Sequence, residues 1–439
     1  METNFSQEQL KNKDNKSSEK ILRKCVHCGF CNATCPTYQL LGNELDGPRG
    51  RIYLIKDMLE NNNPANENIV KHIDRCLSCY SCMTTCPSGV NYMHLIDHGR
   101  SHIEKTYKRP LKDRILRTFL SNVLSKPINF KIVAILSKFV KPFRFFLPHK
   151  IRKMISFMPN KLPKKTLNTM EIYPTSSRKK PVARVALLTG CVQKVISPQI
   201  NEATIRLLNR HGIEVIVPKN INCCGSLNHH LGKENLANQT FRKNILTWYD
   251  EYLKNGLDAI ISNTSGCGTT LKDYGFIFRS DKDFKKKAKK ISELTKDITE
   301  YLEENVKLNF IEKTKNEKVY KIAYHSPCSM QHGQKITDLP KQLLAAAGFE
   351  VVSPEENHLC CGSAGTYNLM QPEIAGQLRD RKAANIARTA PEVVATGNIG
   401  CLMQLREVVD APVVHTVELL DWATGGPPPN GLPQTASEQ

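Results

Sequence analysis

Apolar runs alternate with helical stretches through the second half of this 439-residue chain. Residues 185–188, 213–217 and 258–262 are short apolar runs that predict strands, and residues 198–210 have the apolar spacing of a helix. Gly212 is placed to end that helix just before the second strand. Strands that alternate with helices indicate a parallel sheet, because parallel strands need a crossover connection.

The same order returns further along the chain. Residues 339–347 predict a helix, Gly348 ends it, and residues 349–352 and 391–396 predict two strands. We therefore expect two related α/β units around a shared core. In both units cysteines follow the predicted strands, and α/β folds build their sites just past strand ends.

The charge of the chain is concentrated between its two halves. The net charge is +20, and residues 105–184 carry 21 Lys and Arg against only two acidic residues, Asp113 and Glu171. The rest of the chain is therefore almost neutral. A nucleic-acid-binding protein is not expected, because the charge belongs to one segment and no base-stacking motif accompanies it.

Within this basic segment, residues 130–146 alternate apolar clusters with cations. That composition is typical of a helix lying on a membrane, with its apolar face among the headgroups and its Lys and Arg on anionic lipid. The alternative is that the apolar side chains pack between the two halves or against a partner protein. Residues 1–20 are polar, unlike a signal or transit peptide, and no run reaches the roughly 18 apolar residues of a spanning helix. We expect a cytoplasmic protein, peripheral on the cytoplasmic face of the inner membrane.

Two copies of one cysteine pattern lie in the first hundred residues. Each reads C-x2-C-x2-C-x3-C-P, the spacing that holds a [4Fe–4S] cluster, with the fourth cysteine of each run ligating the other cluster. Three thiolates on one tight loop reach three irons, and the fourth must arrive from elsewhere. The predicted ligands are Cys25, Cys28, Cys31 and Cys86 for the first cluster, and Cys76, Cys79, Cys82 and Cys35 for the second. Zinc takes thiolates as two C-x2-C pairs and does not fit this pattern.

The spacer between the two runs has a helical pattern. Apolar residues recur at helical spacing over residues 51–60, which favours an all-α two-cluster domain over a compact β-hairpin ferredoxin. Residues 47–51 read as a turn into that helix. The alternative for Arg49 and Arg51 is a position near a cluster, where a cation tunes the reduction potential.

The remaining eight cysteines form a second repeat. In each copy a cysteine is followed 32 positions later by Cys-Cys-Gly-Ser, and then by a late cysteine beside glycine. The two sets are Cys191, Cys223, Cys224 and Cys267, and Cys328, Cys360, Cys361 and Cys401. So many cysteines without a secretory signal indicate metal binding or redox work rather than disulfides. Vicinal cysteines suit an irregular iron–sulfur cluster or two metals, and zinc or a metal-free thiol cluster are the alternatives.

These patterns define an α+β multidomain protein, with an α-helical two-cluster ferredoxin domain followed by two α/β units that we call CCG units. The predicted boundaries are residues 1–20 for a polar extension, 21–104 for the ferredoxin domain, 105–184 for a basic amphipathic linker, 185–317 and 318–424 for the two CCG units, and 425–439 for a flexible tail.

The arrangement resembles the iron–sulfur subunits of respiratory-type dehydrogenases: glycolate oxidase, anaerobic glycerol-3-phosphate dehydrogenase and heterodisulfide reductase. Residues 46–51 and 415–427 resemble the glycolate oxidase members specifically. The resemblance implies FAD-containing dehydrogenase subunits as partners, which oxidise glycolate to glyoxylate. It also implies that this chain accepts the electrons and passes them towards a quinone or another membrane electron acceptor.

One departure from these relatives lies at the late cysteines. In heterodisulfide reductase-type units the late cysteine belongs to a C-x2-C pair, whereas here Thr264 and Asn398 stand three positions before it and Thr270 and Gln404 three after. Each unit therefore offers four cysteines, not five. This counts against thiol or disulfide chemistry at these cysteines, which is one alternative function.

No catalytic residue is predicted in this chain. Its sequence has no dinucleotide fingerprint, and we interpret His229, His230 and His325 as ordinary surface or packed histidines. Oxidising a 2-hydroxy acid needs a hydride acceptor, so the flavin is expected on the partner. The same series of electron carriers would serve a dehydrogenase for lactate or glycerol 3-phosphate, because the substrate pocket would also lie on the partner.

Overall fold

The computed structural model of the chain describes residues 1–147, 152, 154–155, 162–163, 171–176, 180–221, 223–311 and 318–433. It contains a helical N-terminal domain, a helical hairpin and two α/β units, each built on its own sheet. The predicted fold class is confirmed. Of the predicted tail over residues 425–439, only the part up to residue 433 lies within the described residues.

The N-terminal domain is helical throughout, as the spacer pattern predicted. Its helices are Gln7–Lys11, Lys13–Lys24, Phe30–Ala33, Pro36–Leu41, Pro48–Glu60, Glu67–Asp74, Ser81–Thr85 and Tyr92–Thr106, with a 3₁₀ turn at Glu44–Asp46. Pro48 begins the long spacer helix, where its missing N–H costs nothing. Gly50 lets this helix cross the 3₁₀ turn closely, because a Cβ there would lie 2.2 Å from the carbonyl oxygen of Glu44.

Residues 1–20 pack on this domain rather than extending from it. The predicted boundary at residue 20 falls inside the helix Lys13–Lys24. Met1 and Phe5 pack against the apolar core of the domain, and the Gln9 side chain donates to the Leu59 carbonyl at 3.1 Å. The segment is polar in composition because most of its polar residues lie on its outer face.

The basic segment contains two helices, Leu111–Leu124 and Pro127–Val140, which we call the linker hairpin; the 3₁₀ helix Lys141–Phe146 follows. One face of the hairpin is buried, and Val123 and Phe130 join the core of the CCG units. The outer face exposes large apolar side chains, at Ile115, Phe119, Ile128, Ile132, Leu136 and Phe139. Among the described residues no single helix is long and apolar enough to cross a membrane; Leu111–Leu124 and Pro127–Phe143 pass that test only as a pair bent by 108°.

The first CCG unit is built on a five-stranded sheet in the order β1-β3-β2-β4-β5. Its strands are β1 Ile172–Tyr173, β2 Ala183–Leu188, β3 Ile213–Ile216, β4 Ala259–Ser262 and β5 Thr295–Asp297. All pairs are parallel except β1 with β3. Its helices are Gln193–Ile196, Gln199–Arg210, Ser226–His230, Glu234–Asn255, Ser265–Ile277, Lys285–Leu294 and Ile298–Asn305.

The second CCG unit has a four-stranded, wholly parallel sheet in the order β7-β6-β8-β9. Its strands are β6 Lys321–Tyr324, β7 Glu350–Val352, β8 Val393–Thr396 and β9 Val413–His415. Its helices are Leu339–Ala346, Tyr367–Met370, Pro372–Ala387, Ile399–Arg406 and Thr416–Ala423, and Ser329–Gln334 is a π-helical turn. The predicted strands and helices of both units are confirmed within two residues at each end.

A single apolar core crosses the two sheets. Leu187 and Ile261 of the first sheet and Ile322 and Val394 of the second belong to it, and all four are buried. Burying such side chains stabilises the fold by roughly 1.5–3 kcal/mol each. The shared core fixes the two units against each other, and it therefore fixes the spacing of their cysteines.

Candidate metal centres

The two N-terminal cysteine runs fold into two loops of similar backbone conformation. The backbone is left-handed at His27 (φ 58°) and Gly29 (φ 82°) in the first run, and at Ser78 (φ 51°) and Tyr80 (φ 63°) in the second. Left-handed residues curl the chain so that its amides and the flanking side chains face one point. Glycine adopts this conformation freely, whereas tyrosine does so only where its surroundings impose it.

The first expected ligand set lines one small pocket. Cys25, Cys28, Cys31 and Cys86 all contribute to its wall, together with Cys82. Burial raises the pKa of the Cys31 thiol to about 11, and the neighbouring thiols add to the rise. Thiols crowded in this way hold their protons unless a cation compensates the thiolates, and a bound metal deprotonates them. The donor set therefore fits a metal cluster.

The second expected set is more deeply buried. Cys35, Cys76, Cys79 and Cys82 are all buried. Burial raises the pKa of Cys82 well above its usual value, and Cys79, Cys76 and Cys35 add to the rise in that order. Cys82 therefore has the fourth cysteine of the first run among its near neighbours, as a crossed arrangement requires. The ligation itself stays a prediction.

A pair of equivalent threonines joins the two runs. The hydroxyl oxygens of Thr34 and Thr85, each the residue just before the fourth cysteine of its run, lie 3.1 Å apart. The short helices Phe30–Ala33 and Ser81–Thr85 pack against each other. This contact places the end of each cysteine run next to the loop of the other run.

A buried guanidinium lies beside the second set. Arg51 Nη1 is 3.9 Å from Cys35 Sγ, and Arg51 also donates to the Thr37 hydroxyl at 3.0 Å and the His72 carbonyl at 2.8 Å. Asp46, which is fully buried, lies 3.7 Å from Arg51. Burial acts to lower the pKa of Arg51, but neighbouring thiols, a tyrosine and Asp46 outweigh it and raise that pKa. Residues 47–51 thus form both a turn and a contact with the expected cluster site.

The four cysteines of each CCG unit form one series of contacts. In the first unit the Sγ atoms of Cys224 and Cys267 lie 3.1 Å apart, and Cys191 hydrogen-bonds to Cys223. In the second unit Cys328 and Cys360 lie 3.6 Å apart through their Sγ atoms. All 16 cysteines of the chain are free in the structure.

In the second unit a histidine joins the cysteines. His325 is fully buried, and its ring lies beside Cys361 and Cys401. Hydrogen bonds from Cys360 and Cys401, helped by His325 and opposed by burial, hold the pKa of Cys361 well below its usual value. The sequence interpretation of His325 as an ordinary surface or packed histidine does not include these thiol neighbours.

The other two histidines connect domains. His229 Nε2 lies 3.4 Å and His230 Nδ1 3.2 Å from the buried Asp97 carboxylate on the helix Tyr92–Thr106. Burial acts to lower the pKa of His229, but Asp97 outweighs it and raises that pKa. This contact holds the first CCG unit against the N-terminal domain.

One cavity of about 670 Å³ is lined by all eight CCG cysteines and by Cys76 of the second run. The buried face of the linker hairpin forms another part of its wall, including Leu116, Leu120 and Phe130. Of the four positions at which a C-x2-C partner is missing, Thr264 and Asn398 also line it. Thr264 there donates to the Gln193 side chain at 2.6 Å, and Asn398 caps the helix Ile399–Arg406. Both side chains therefore have structural partners.

The second cysteine run touches the second CCG unit. Leu77 and Cys79 pack with Cys360 and Tyr367 in one buried cluster, with Cys328 at its edge. Burial raises the pKa of the Cys79 thiol, and Cys328 adds to that rise. The expected ligands of the second cluster are thus direct neighbours of the second unit's thiols.

Sequence reasoning did not find all the residues around these sites. Arg51 is already named as the alternative cation near a cluster, and Asp46 belongs to the phrase that resembles a known family, so a signal exists for it. Tyr92 donates to Cys76 Sγ at 3.7 Å, and nothing in the sequence pattern marks it.

Two protein-family models match the chain. The 4Fe-4S dicluster domain matches residues 21–90, and the cysteine-rich domain matches residues 185–272 and 322–406. These matches support iron–sulfur clusters in the chain.

Similar proteins cover nearly its whole length. The glycolate oxidase iron–sulfur subunit of Escherichia coli (strain K12) is 41% identical over 423 residues, which are 96% of this chain and 99% of that protein. The probable glycolate oxidase iron–sulfur subunit of Bacillus subtilis (strain 168) is 30% identical and covers 97% of this chain and 99% of its own. Lactate utilization protein A of Bacillus licheniformis is 27% identical over 244 residues, which are 54% of this chain and 99% of that protein.

Proposed function

Because the chain belongs to the family of glycolate oxidase iron–sulfur subunits, we propose that it carries electrons from a FAD-containing partner that oxidises glycolate to glyoxylate. The oxidation releases two electrons and two protons, and it needs a hydride acceptor such as a flavin. A [4Fe–4S] cluster, when bound, supplies one-electron transfer. The residues of this chain hold and insulate the sites through which the electrons pass.

One observation carries this proposal: the expected ligand sets lie in buried contact with one another. Cys82 lines the first pocket while belonging to the second set, and Cys79 packs against Cys360 of the second CCG unit. A continuous series of thiol sites suits stepwise electron transfer through the protein.

The electron acceptor in this proposal is a quinone at a membrane surface. A volume of about 670 Å³ lies within the range of roughly 300–1,000 Å³ of small-molecule pockets. The linker hairpin forms part of its wall and exposes Ile132 and Phe139 on the outside, next to the exposed Lys131 and Lys138. An apolar surface with cations suits the boundary of an anionic membrane, where a quinone is dissolved. The chain would then act on the cytoplasmic face of the inner membrane.

Anaerobic purification of the intact complex tests the proposal. We expect the chain to copurify with a flavoprotein, and the complex to reduce a quinone analogue when glycolate is added. A Cys79→Ser variant should still allow glycolate to reduce the flavin, but it should lose most quinone reduction. A chain that purifies without flavin, or a complex that ignores glycolate, would contradict the proposal.

Lactate is the second candidate fuel, because lactate utilization protein A matches just over half of the chain. The substrate site would lie on the partner in either case. A substrate screen on the same complex, with glycolate, lactate and glycerol 3-phosphate at equal concentrations, separates these possibilities.

A further inference from the structure

The second CCG unit holds a buried histidine with no ordinary partner. His325 is fully buried, and the ligating atoms of His325, Cys361 and Cys401 all lie within 4.8 Å of one another. Among the described residues neither ring nitrogen of His325 has a nitrogen or oxygen hydrogen-bond partner, and the polar group beside the ring is the Cys361 thiol. A buried imidazole surrounded by thiols is poorly satisfied by hydrogen bonds, and binding of the ring to a metal would satisfy it.

This histidine has no counterpart in the first unit. His325 stands three positions before Cys328, and the residue three positions before Cys191 is Leu188. Leu188 is buried in an apolar core of its unit. The two units share their cysteine spacing, so the histidine is a specific addition to the second.

The second unit offers more donors than a single ion takes. The Sγ atoms of Cys328 and Cys360 lie 3.6 Å apart. Cys361 hydrogen-bonds to Cys360, and it also lies in the group with His325 and Cys401. A structural zinc ion takes four ligands, and five connected donors exceed that number. A cluster of several metal atoms accommodates them.

We propose that His325 is a ligand to one iron of an iron–sulfur cluster in the second CCG unit. The cysteine ligands are Cys328, Cys360, Cys361 and Cys401. A neutral imidazole in place of a thiolate leaves a cluster less negative, and histidine ligation raises reduction potentials in this way in Rieske centres. This inference deepens the proposed electron-transfer role, because the site adjoins Cys79 of the second run.

Nitrogen coupling in the intact chain tests the proposal directly. The full-length protein is labelled with ¹⁵N-histidine and purified anaerobically. Pulsed electron–nuclear double resonance spectra are then recorded, and the iron, sulfide and zinc contents are measured. We expect a histidine nitrogen coupling and more iron than two [4Fe–4S] clusters account for. His325→Gln should abolish the coupling and remove the excess iron, while the signals of the two ferredoxin-type clusters persist as a check on folding.

His332→Gln is the matched control. His332 is also buried, but it contacts Thr84 at 2.7 Å and the His358 carbonyl at 3.0 Å instead of the cysteines. This variant should keep both the coupling and the iron. His325→Cys should keep the excess iron and lose the nitrogen coupling, because it restores a donor of another kind.

Three results would overturn the proposal: no histidine coupling in the unsubstituted protein, unchanged coupling and iron in His325→Gln, or zinc in place of the excess iron. If His325→Gln does not fold, the coupling of the unsubstituted protein and the His325→Cys variant still decide. None of these measurements uses glycolate. A failure of the proposed substrate therefore leaves this inference standing, and the reverse also holds.

Discussion

The Nη1 atom of Arg51 lies 3.9 Å from the Sγ atom of Cys35, and both side chains are buried. Arg51 cannot leave this position easily, because its other nitrogens are bound to Thr37 and to the carbonyl of His72. A fixed positive charge is thus built next to an expected ligand of the second cluster. It should favour the reduced, more negative state of that cluster.

Replacing Arg51 should therefore lower the potential of the second cluster. An Arg51→Gln variant removes the cation, and a loss of about 1.4 kcal/mol of stabilisation corresponds to about 60 mV for a one-electron couple. We expect a fall of roughly 60–120 mV in a redox titration followed by electron paramagnetic resonance.

Two further variants control this measurement. Arg51→Lys keeps the charge and should keep most of the potential. Arg49→Gln alters an arginine that lines the first pocket instead, so it should shift the first cluster more than the second. A second-cluster potential that is equal in Arg51→Gln and the unsubstituted protein would show that Arg51 has only a structural role.

The crossed ligation predicts opposite effects for two serine variants. Cys86→Ser should disturb the cluster of the first run, because Cys86 lines the pocket of Cys25, Cys28 and Cys31. Cys35→Ser should disturb the cluster of the second run. Reference spectra from Cys28→Ser and Cys79→Ser identify which signal belongs to which run. If Cys86→Ser resembles Cys79→Ser rather than Cys28→Ser, each run holds its own fourth ligand.

The linker hairpin should bind anionic vesicles. Each basic residue near such a surface contributes about 1 kcal/mol, or about fivefold in affinity. We expect the full-length chain to float with phosphatidylserine vesicles, and to release as salt screens the attraction. Changing Lys131, Lys138, Lys141 and Arg144 together to Gln should abolish flotation.

A second set of lysines provides a control of equal charge. Lys282, Lys285, Lys286 and Lys289 are exposed on the first CCG unit, three of them on the helix Lys285–Leu294. Their replacement by Gln should leave flotation largely intact. If both sets weaken binding equally, the attraction is one of overall charge. If the unsubstituted chain does not bind anionic vesicles at low salt, the hairpin is better assigned to docking of a partner protein.

The contact between His229 and Asp97 predicts a pH dependence of stability. Asp97 raises the pKa of His229 above its ordinary value of 6.5. A group with a raised pKa in the folded state stabilises it fully below its unfolded pKa, and this stabilisation is lost as the pH rises through the folded pKa. The melting temperature should therefore fall as the pH is raised from about 6 to 8.5.

A His229→Gln variant should melt at a lower temperature at pH 6 and should lose most of this pH dependence. His102→Gln, on the same helix as Asp97, removes a histidine that contacts the Asn63 carbonyl instead and should preserve it. A His229→Gln variant with the full pH dependence would assign the effect to another group.

The local pattern of the sequence was enough for most secondary structure. Residues 185–188 and 258–262 were predicted as strands because apolar runs of that length pack in a buried parallel sheet. The turn into the helix Pro48–Glu60 was readable from its glycines and proline. The predicted boundary at residue 20 lies within the helix Lys13–Lys24, which is polar on its outer face and apolar only where Ile21 and Leu22 pack.

For the candidate ligands, too, some properties follow from local sequence spacing and others do not. The spacing of Cys25, Cys28 and Cys31 is a local property, so the sequence by itself determined that they can share a cluster. The repeat of the CCG cysteines, and hence their number in each unit, is also visible in the sequence alone. Each of these conclusions depends on residues that are near one another along the chain.

Only the tertiary structure decided which distant groups meet. His325 lies beside Cys361 and Cys401 because it continues strand β6 at the point where it pairs with β8, and no spacing rule contains that contact. The cavity shared by the two units and the linker hairpin is likewise a product of packing across the common core. Local patterns follow from backbone geometry, whereas the environment of a buried side chain depends on contacts between residues that are far apart in sequence.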